Sequence, residues 1–180
     1  MTQPLLLLMA GLPGSGKSTV ALAVGRRLRW PVLDKDTVKS TLLKLGADED
    51  LAARASYIVL DELARDLVVK QGLCAIIDSP SSYLEAIEAA QRIADDAGGV
   101  LKVVLCEASP RERSRRLKTR PRKASHVTEV DRPEELVIEQ RFRNLPPDTI
   151  RVCTEDPAED LIEHILTEVL AGRSSVLQPL

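Results

Sequence analysis

The chain has 180 residues, of which 44% are hydrophobic and 29% charged, with a formal net charge of −2. This is the balance of about one globular domain, and it excludes a disordered or collagen-like chain. The early apolar run, residues 5–10, is far shorter than the ~20 residues that cross a membrane, and no basic stretch marks a secretory signal before it. Three widely spaced cysteines, Cys74, Cys106 and Cys153, fall in apolar strand-like runs and read as small buried residues of a reduced, cytoplasmic protein.

Taken in chain order, strand-like and helix-like segments alternate. Residues 5–10 form a continuous apolar run between Pro4 and Gly11, as a strand buried on both faces does. Residues 17–29 predict a helix with Val20, Ala21, Val24 and Leu28 on one side. A short strand at 31–34 and a short helix at 37–45, stopped by Gly46, follow. Residues 51–70 predict a longer helix with Ala55, Val59, Leu63 and Leu67 on its inner face. Further strands are predicted at 73–77, 100–106 and 149–153. Helices are predicted at 82–97, with Tyr83, Ile87, Ala90 and Ala94 on one face, and at 110–120 and 133–144. The last of these begins with Pro133. A strongly amphipathic helix containing Leu161, Ile162, Ile165, Leu166, Val169 and Leu170 closes the pattern at Gly172. Strands separated by helices of ten or more residues indicate βαβ units, right-handed crossovers and a three-layer α/β fold. The expectation is a five-stranded, mainly parallel sheet with helices on both faces. One domain over 1–172 and a tail at 173–180 complete the layout.

The loop Gly11-Leu12-Pro13-Gly14-Ser15-Gly16-Lys17-Ser18 fits G-x-x-x-x-G-K-[ST] at every fixed position. It lies between an apolar strand and an amphipathic helix, as that pattern requires. Glycines let the backbone turn its N–H groups toward phosphate oxygens, and the helix N-terminus adds partial positive charge. Gly14, Ser15, Gly16, Lys17, Ser18 and Thr19 are therefore the expected nucleotide-binding residues. Lys17 would reach the β- and γ-phosphates and Ser18 would ligate Mg²⁺.

The loop specifies a nucleoside triphosphate, not its use. A GTPase would carry an [NT]-K-x-D segment, which is absent; Asp95-Asp96-Ala97-Gly98 spells D-x-x-G only at a helix end. An AAA-type motor would end its second motif strand in an acidic pair, but Asp78 is followed by Ser79. A small kinase fits the length, with one sheet, an acceptor site and a lid.

The chain resembles P-loop kinases of the group that includes the kinase domain of polynucleotide kinase, chloramphenicol phosphotransferase and zeta toxins. The shared residues are Gly11 to Thr19, the run Leu33-Asp34-Lys35-Asp36-Thr37-Val38-Lys39-Ser40, the strand ending in Asp78, and Arg116 and Arg120 of a basic segment. The resemblance spans roughly residues 4–170. It implies ATP and Mg²⁺ as cofactors, and Asp36 as the carboxylate that takes the acceptor's proton. It also puts Lys39 where polynucleotide kinase has an arginine that holds a substrate phosphate.

Read from the residues alone, Asp36 suits a base at the carboxyl edge of the sheet, with capping of the helix at 37–45 as the alternative, and Asp34 competes with it for the base role. Lys39 would equally be a solvated surface lysine. Asp78 would hold Mg²⁺ through water or through Ser18, orient the substrate, or cap the turn after its strand, with Ser79, Ser81, Ser82 and Tyr83 facing the acceptor cavity. Residues 37–57 and 79–83 would build that cavity.

Residues 111–123 carry eight basic side chains and one acid, Glu112, a segment charge of +7 in an otherwise acidic chain. Such a segment suits a closing lid, taken as residues 111–132, a nucleic-acid contact or a solvated face. With only Leu117 as a large apolar residue, it is not expected to pack permanently against the core. Arg116 and Arg120, spaced i,i+4 with Arg113 on the same face, would together stabilise the transferring phosphoryl group. Only four aromatic residues, Trp30, Tyr57, Tyr83 and Phe142, are present to stack bases. His126 is assigned no role. The leading expectation is an ATP- and Mg-dependent kinase acting on a small-molecule hydroxyl. A polynucleotide 5′-hydroxyl kinase is the alternative enzyme, and a nucleotide-binding regulatory module without phosphotransfer is the alternative class. Nothing in the sequence names the acceptor, the nucleobase preference or the oligomeric state.

Overall fold

The computed structural model describes residues 3–81, 83–120, 124–125 and 132–171. Five parallel strands form its sheet: β1 (Leu5–Ala10), β2 (Val32–Asp34), β3 (Ala75–Asp78), β4 (Val100–Glu107) and β5 (Ile150–Cys153). Their order across the sheet is β2-β3-β1-β4-β5. β1 is the centre, with Leu8 beside Ile77 of β3 on one side and Val103 of β4 on the other. All six of its side chains are buried. Leu6, Leu8 and Ala10 point into one core and Leu5, Leu7 and Met9 into the other, the period-2 alternation of a strand covered on both faces. Truncating any of these leucines to alanine should cost about 2–5 kcal/mol.

The odd-numbered side chains of β1 pack under α1 (Lys17–Leu28) and α7 (Ala158–Leu170), through Val20, Ala21 and Val24 from the first and Leu161, Ile165 and Val169 from the second. The opposite face is covered by α3 (Glu49–Arg65) and α4 (Leu84–Asp96), with Phe142 and Leu145 near its margin. A short α2 (Lys35–Lys44) follows β2 directly and packs against α3. α5 (Pro110–Thr119) and α6 (Arg132–Arg141) complete the elements, and α6 runs into a 3₁₀ turn at Phe142–Asn144.

The expected elements are all present, with ends shifted by a few residues. The inner face of α3 differs from expectation. Val59 and Leu63 are exposed, and Ala52, Ser56, Leu60 and Ala64 are buried instead. Aliphatic residues lie around most of this helix, so spacing alone does not choose a face. The chosen face carries three small side chains, which let α3 sit close to the sheet. Its last turn widens into a π turn at Asp66–Lys70, which keeps Val68 on the buried side.

Two of the three cysteines also differ from expectation. Cys74 precedes β3 and accepts a hydrogen bond from the Leu5 N–H at 3.3 Å, and Cys153 is exposed because β5 is an edge strand. Only Cys106 is a core residue, and burial pushes its thiol up to about 12. Among the described residues no helix is long and apolar enough to cross a membrane. The predicted stop at Gly172, the tail at 173–180, His126 and most of the segment 121–131 lie outside the described residues.

Candidate active site

The loop between β1 and α1 is held by backbone geometry. Gly11, Gly14 and Gly16 all have positive φ, at 142°, 78° and 90°. A Cβ at Gly14 would stand 2.7 Å from the Arg113 carbonyl oxygen, and one at Gly16 would stand 3.1 Å from an Arg116 nitrogen. The glycines thus serve the turn and also let α5 approach the loop. Gly16 caps α1 without any side-chain hydrogen bond, so no side chain satisfies the first N–H groups of that helix. Lys17 folds back across the loop and donates to the carbonyls of Gly11 at 2.9 Å and Leu12 at 3.2 Å. Burial lowers the pKa of its ammonium, opposed chiefly by the charge of Asp78.

A phosphate chain fits this loop. Ser15 is buried, and its Oγ has no hydrogen-bond partner among the described residues, an atom that a phosphate oxygen or its water would satisfy. Asp78, at the end of β3, is 4% exposed. Burial raises its carboxyl pKa, while a hydrogen bond from Ser18 and the charge of Lys17 pull it down. A buried carboxylate beside a hydroxyl at the phosphate end of the loop is the oxygen donor set that Mg²⁺ takes, the other positions going to water and phosphate.

β2 ends at Asp34, and α2 begins immediately. The Asp34 carboxylate accepts from the Asp36 N–H at 2.9 Å and from the Thr37 hydroxyl at 2.7 Å, so Asp34 is the cap of α2. This corrects the alternative in which Asp36 is the cap, and it occupies the competing carboxylate. Asp36 sits in the first turn of α2, where its charge acts on Lys17, Asp78 and Arg120.

Lys39 pairs with Glu49 of α3 at 2.7 Å, and its side chain is 17% exposed. Ser79 and Ser81 lie in the turn after Asp78. Both are buried and share a 2.7 Å hydrogen bond. Tyr83 is exposed, with the Arg141 guanidinium 4.4 Å from its ring centroid, and Ser82 lies outside the described residues.

The basic segment is anchored more firmly than its composition suggests. Arg113 is 3% exposed, bonds Glu135 of α6 at 2.5 Å and donates to the Ala108 carbonyl. Leu117 is buried, within van der Waals reach of Gly14. The expectation that this stretch would not pack permanently therefore fails for α5, because a buried ion pair substitutes for apolar contacts.

Arg116 and Arg120 part company as well. Arg116 is clamped by Glu112 at 2.7 Å and donates to the Thr154 hydroxyl at 2.7 Å and carbonyl at 2.9 Å. Arg120 is the C-cap of α5, its N–H still donating to the Arg116 carbonyl at 3.0 Å, while its extended ψ turns the following chain away from the helix. Arg120 instead lies in the field of Asp36 and Lys17. Thr154, which sequence reasoning missed, hydrogen-bonds the Ser15 carbonyl at 2.7 Å and so ties the loop after β5 to the phosphate loop. Nothing in its sequence surroundings signals that role. Ser125 reaches across to α2, exchanging hydrogen bonds with Ser40 and donating to the Asp36 carbonyl at 3.1 Å.

Strand order, the glycine loop and the Asp78 strand beside it define a P-loop nucleoside triphosphatase fold of the kinase type. Residues 6–145 match the AAA_33 family, described as an AAA domain, and the chain belongs to that family. No curated protein matches the chain by sequence. Similar solved structures include a candidate kinase from Chloroflexus aurantiacus, 22% identical with a TM-score of 0.74, covering 96% of this chain and 99% of its own. APS kinase CysC of Mycobacterium tuberculosis, solved with AMPPNP and APS, is 20% identical with a TM-score of 0.65 over 93% of this chain and 98% of its own. A gluconokinase from Sinorhizobium meliloti is 15% identical with a TM-score of 0.61 over 94% and 93%. At these identities the likeness is one of fold.

Proposed function

We propose that the chain is an ATP- and Mg-dependent phosphotransferase that moves the γ-phosphate to a hydroxyl of a small molecule, within one domain at 1–172. The observation that carries this reading is the phosphate loop itself, with the unpartnered buried Ser15 hydroxyl, Lys17 folded onto the loop carbonyls and the buried Asp78 at the end of β3, on which the charge of Asp36 also acts. The loop N–H groups of residues 14–19 and Lys17 hold the phosphates once Lys17 leaves the Gly11 and Leu12 carbonyls. Ser18 and Asp78 hold Mg²⁺, which neutralises charge on the phosphate oxygens. Asp36 accepts the acceptor's hydroxyl proton as the oxygen bonds to phosphorus, and the bond to the departing diphosphate breaks. Arg120, on which the charge of Asp36 acts, stabilises the transferring group. Arg116 orders the loop and the nucleotide end of the site through Thr154 and Gly16.

A small acceptor is favoured over a nucleic acid because Arg113, Arg115 and Arg116 are engaged by Glu135, Glu112 and Thr154 within the protein. Kinases of similar fold are named for small acceptors, APS and gluconate among them. The test is transfer of labelled γ-phosphate from ATP, with Mg²⁺, to sugars, nucleosides, antibiotics and 5′-hydroxyl oligonucleotides. Label in a small molecule is the expected result. Label confined to oligonucleotides would establish the polynucleotide alternative, and ATP binding without acceptor-dependent turnover would establish a regulatory module.

A further inference from the structure

Next to Asp36, at the first position of α2, stands a lysine that the mechanism does not use. Lys35 is 8% exposed. Among the described residues its ammonium makes no hydrogen bond and no ion pair; it rests 4.8 Å from the ring centroid of Tyr57 on α3. Of the neighbouring carboxylates, Asp34 is committed to the helix cap and Glu49 to Lys39, while Asp36 acts on Lys35 through its charge without forming an ion pair with it. An ammonium has three donors, and burying it with no hydrogen-bond acceptor is costly unless an anion completes its surroundings. Burial lowers the pKa of Lys35, the sign expected of a charge without a full partner.

The surroundings extend this feature into a wall. Tyr57 lies in the fields of both Tyr83 and Asp36, and Tyr83 carries the Arg141 guanidinium on its ring. Two cation–ring pairs, Lys35 with Tyr57 and Arg141 with Tyr83, thus neighbour Asp36. Tyrosine rings hold the cations in place without neutralising them, so each keeps its charge for a ligand.

We propose that Lys35, seated on Tyr57 beside Asp36, is an anion anchor in the acceptor cavity, and that the acceptor is a small alcohol carrying a carboxylate or phosphate group. This rests on the acceptor side proposed above. A hydroxyl placed at Asp36 then has its anionic end at Lys35, which orients it for transfer and rejects neutral alcohols.

The test separates anion binding from turnover. With the phosphate loop filled by a non-hydrolysable ATP analogue and Mg²⁺, acetylation of Lys35 by an amine-reactive ester is followed by peptide mass spectrometry. Glycerol, glycerate and glycerol 3-phosphate are the probes, and exposed Lys44 and Lys70 are the internal references. The expected result is at least fivefold slower labelling of Lys35 with one or both anions, none with glycerol, and unchanged Lys44 and Lys70. The more protective anion tells carboxylate from phosphate. Labelling indifferent to both anions, or slowed equally by glycerol, overturns the proposal.

In turnover, Lys35→Met keeps the buried stem and should raise KM for an anionic acceptor at least tenfold. KM for ATP should stay within twofold, and Lys35→Arg should restore part of the loss. An unchanged acceptor KM, or efficient use of a neutral acceptor alone, also overturns it. If no acceptor is phosphorylated at all, the kinase reading fails, and the labelling experiment still decides whether Lys35 binds anions.

Discussion

On the nucleotide side of the cleft the backbone does the holding. Gly11, Gly14 and Gly16 adopt φ values that other residues resist, the α1 N-terminus is left without a side-chain cap, and Lys17 rests on two loop carbonyls. On the acceptor side the work falls to side chains borrowed from several elements: Asp34, Lys35 and Asp36 from the β2–α2 junction, Tyr57 and Glu49 from α3, Tyr83 before α4 and Arg141 from α6. A site made of backbone has few sequence solutions and changes little between proteins that handle the same phosphates. A site made of side chains on separate elements can be altered one residue at a time, which suits the part of a kinase that must choose its substrate.

Changes on the nucleotide side should cost the most. Lys17→Ala should weaken ATP binding about 10- to 100-fold, since it removes a charged contact worth about 1.5–3 kcal/mol. Calorimetric titration with ATP and Mg²⁺ checks this, and wild-type affinity would refute the loop assignment. Gly14→Ala puts a Cβ 2.7 Å from the Arg113 carbonyl at φ 78°. It should cost about 1–3 kcal/mol of stability and lower ATP affinity roughly tenfold, because loop and α5 must separate. Thermal unfolding with and without nucleotide reads both effects.

The acceptor side should divide by residue. Asp34→Ala should cost about 1 kcal/mol through the lost cap, while Asp34→Asn keeps the cap and should leave turnover within a few-fold. Turnover lost in Asp34→Asn at unchanged stability would move the base role from Asp36 to Asp34.

The smallest effect concerns the Arg116 clamp. Hydrogen bonds from Arg115, then Arg116, hold Glu112 down to about 2 against an ordinary 4.5. A carboxyl lowered on folding adds stability that is fully present above 4.5 and disappears as pH falls toward 2. Because this side chain is solvent-screened, Glu112→Gln should lower the melting temperature by roughly a degree or two at neutral pH, with the gap closing as pH falls through that window. A gap that widens on acidification would contradict the clamp.

The contrast between the two sides also decides what the sequence could show. β1, the loop and α1 were legible because Leu5 to Lys17 spells out strand, turn and helix start in consecutive residues. The sheet and its crossovers followed from apolar runs separated by helices. The inner face of α3 was not legible, since Val59 and Leu63 are as apolar as Leu60, and only packing decides among them. Arg113 read as a companion of Arg116 and Arg120 on a ligand-facing side, because its partner, Glu135 on another helix, is not visible in local spacing. Lys39 and Glu49 find each other across the α2–α3 turn, and Thr154 meets Ser15 from the far end of the chain. Such pairings depend on tertiary contact, which local spacing does not encode.

The central claim is that the two sides meet in one reaction, nucleotide held by the loop and acceptor activated by Asp36. Its most direct test is Asp36→Asn, with ATP affinity and acceptor-dependent phosphate transfer measured on the same preparation. Transfer should fall by about 10²–10⁴, the range of a positioned general base, with ATP affinity within twofold of wild type. Transfer surviving within a few-fold, or lost together with ATP binding, would contradict the account.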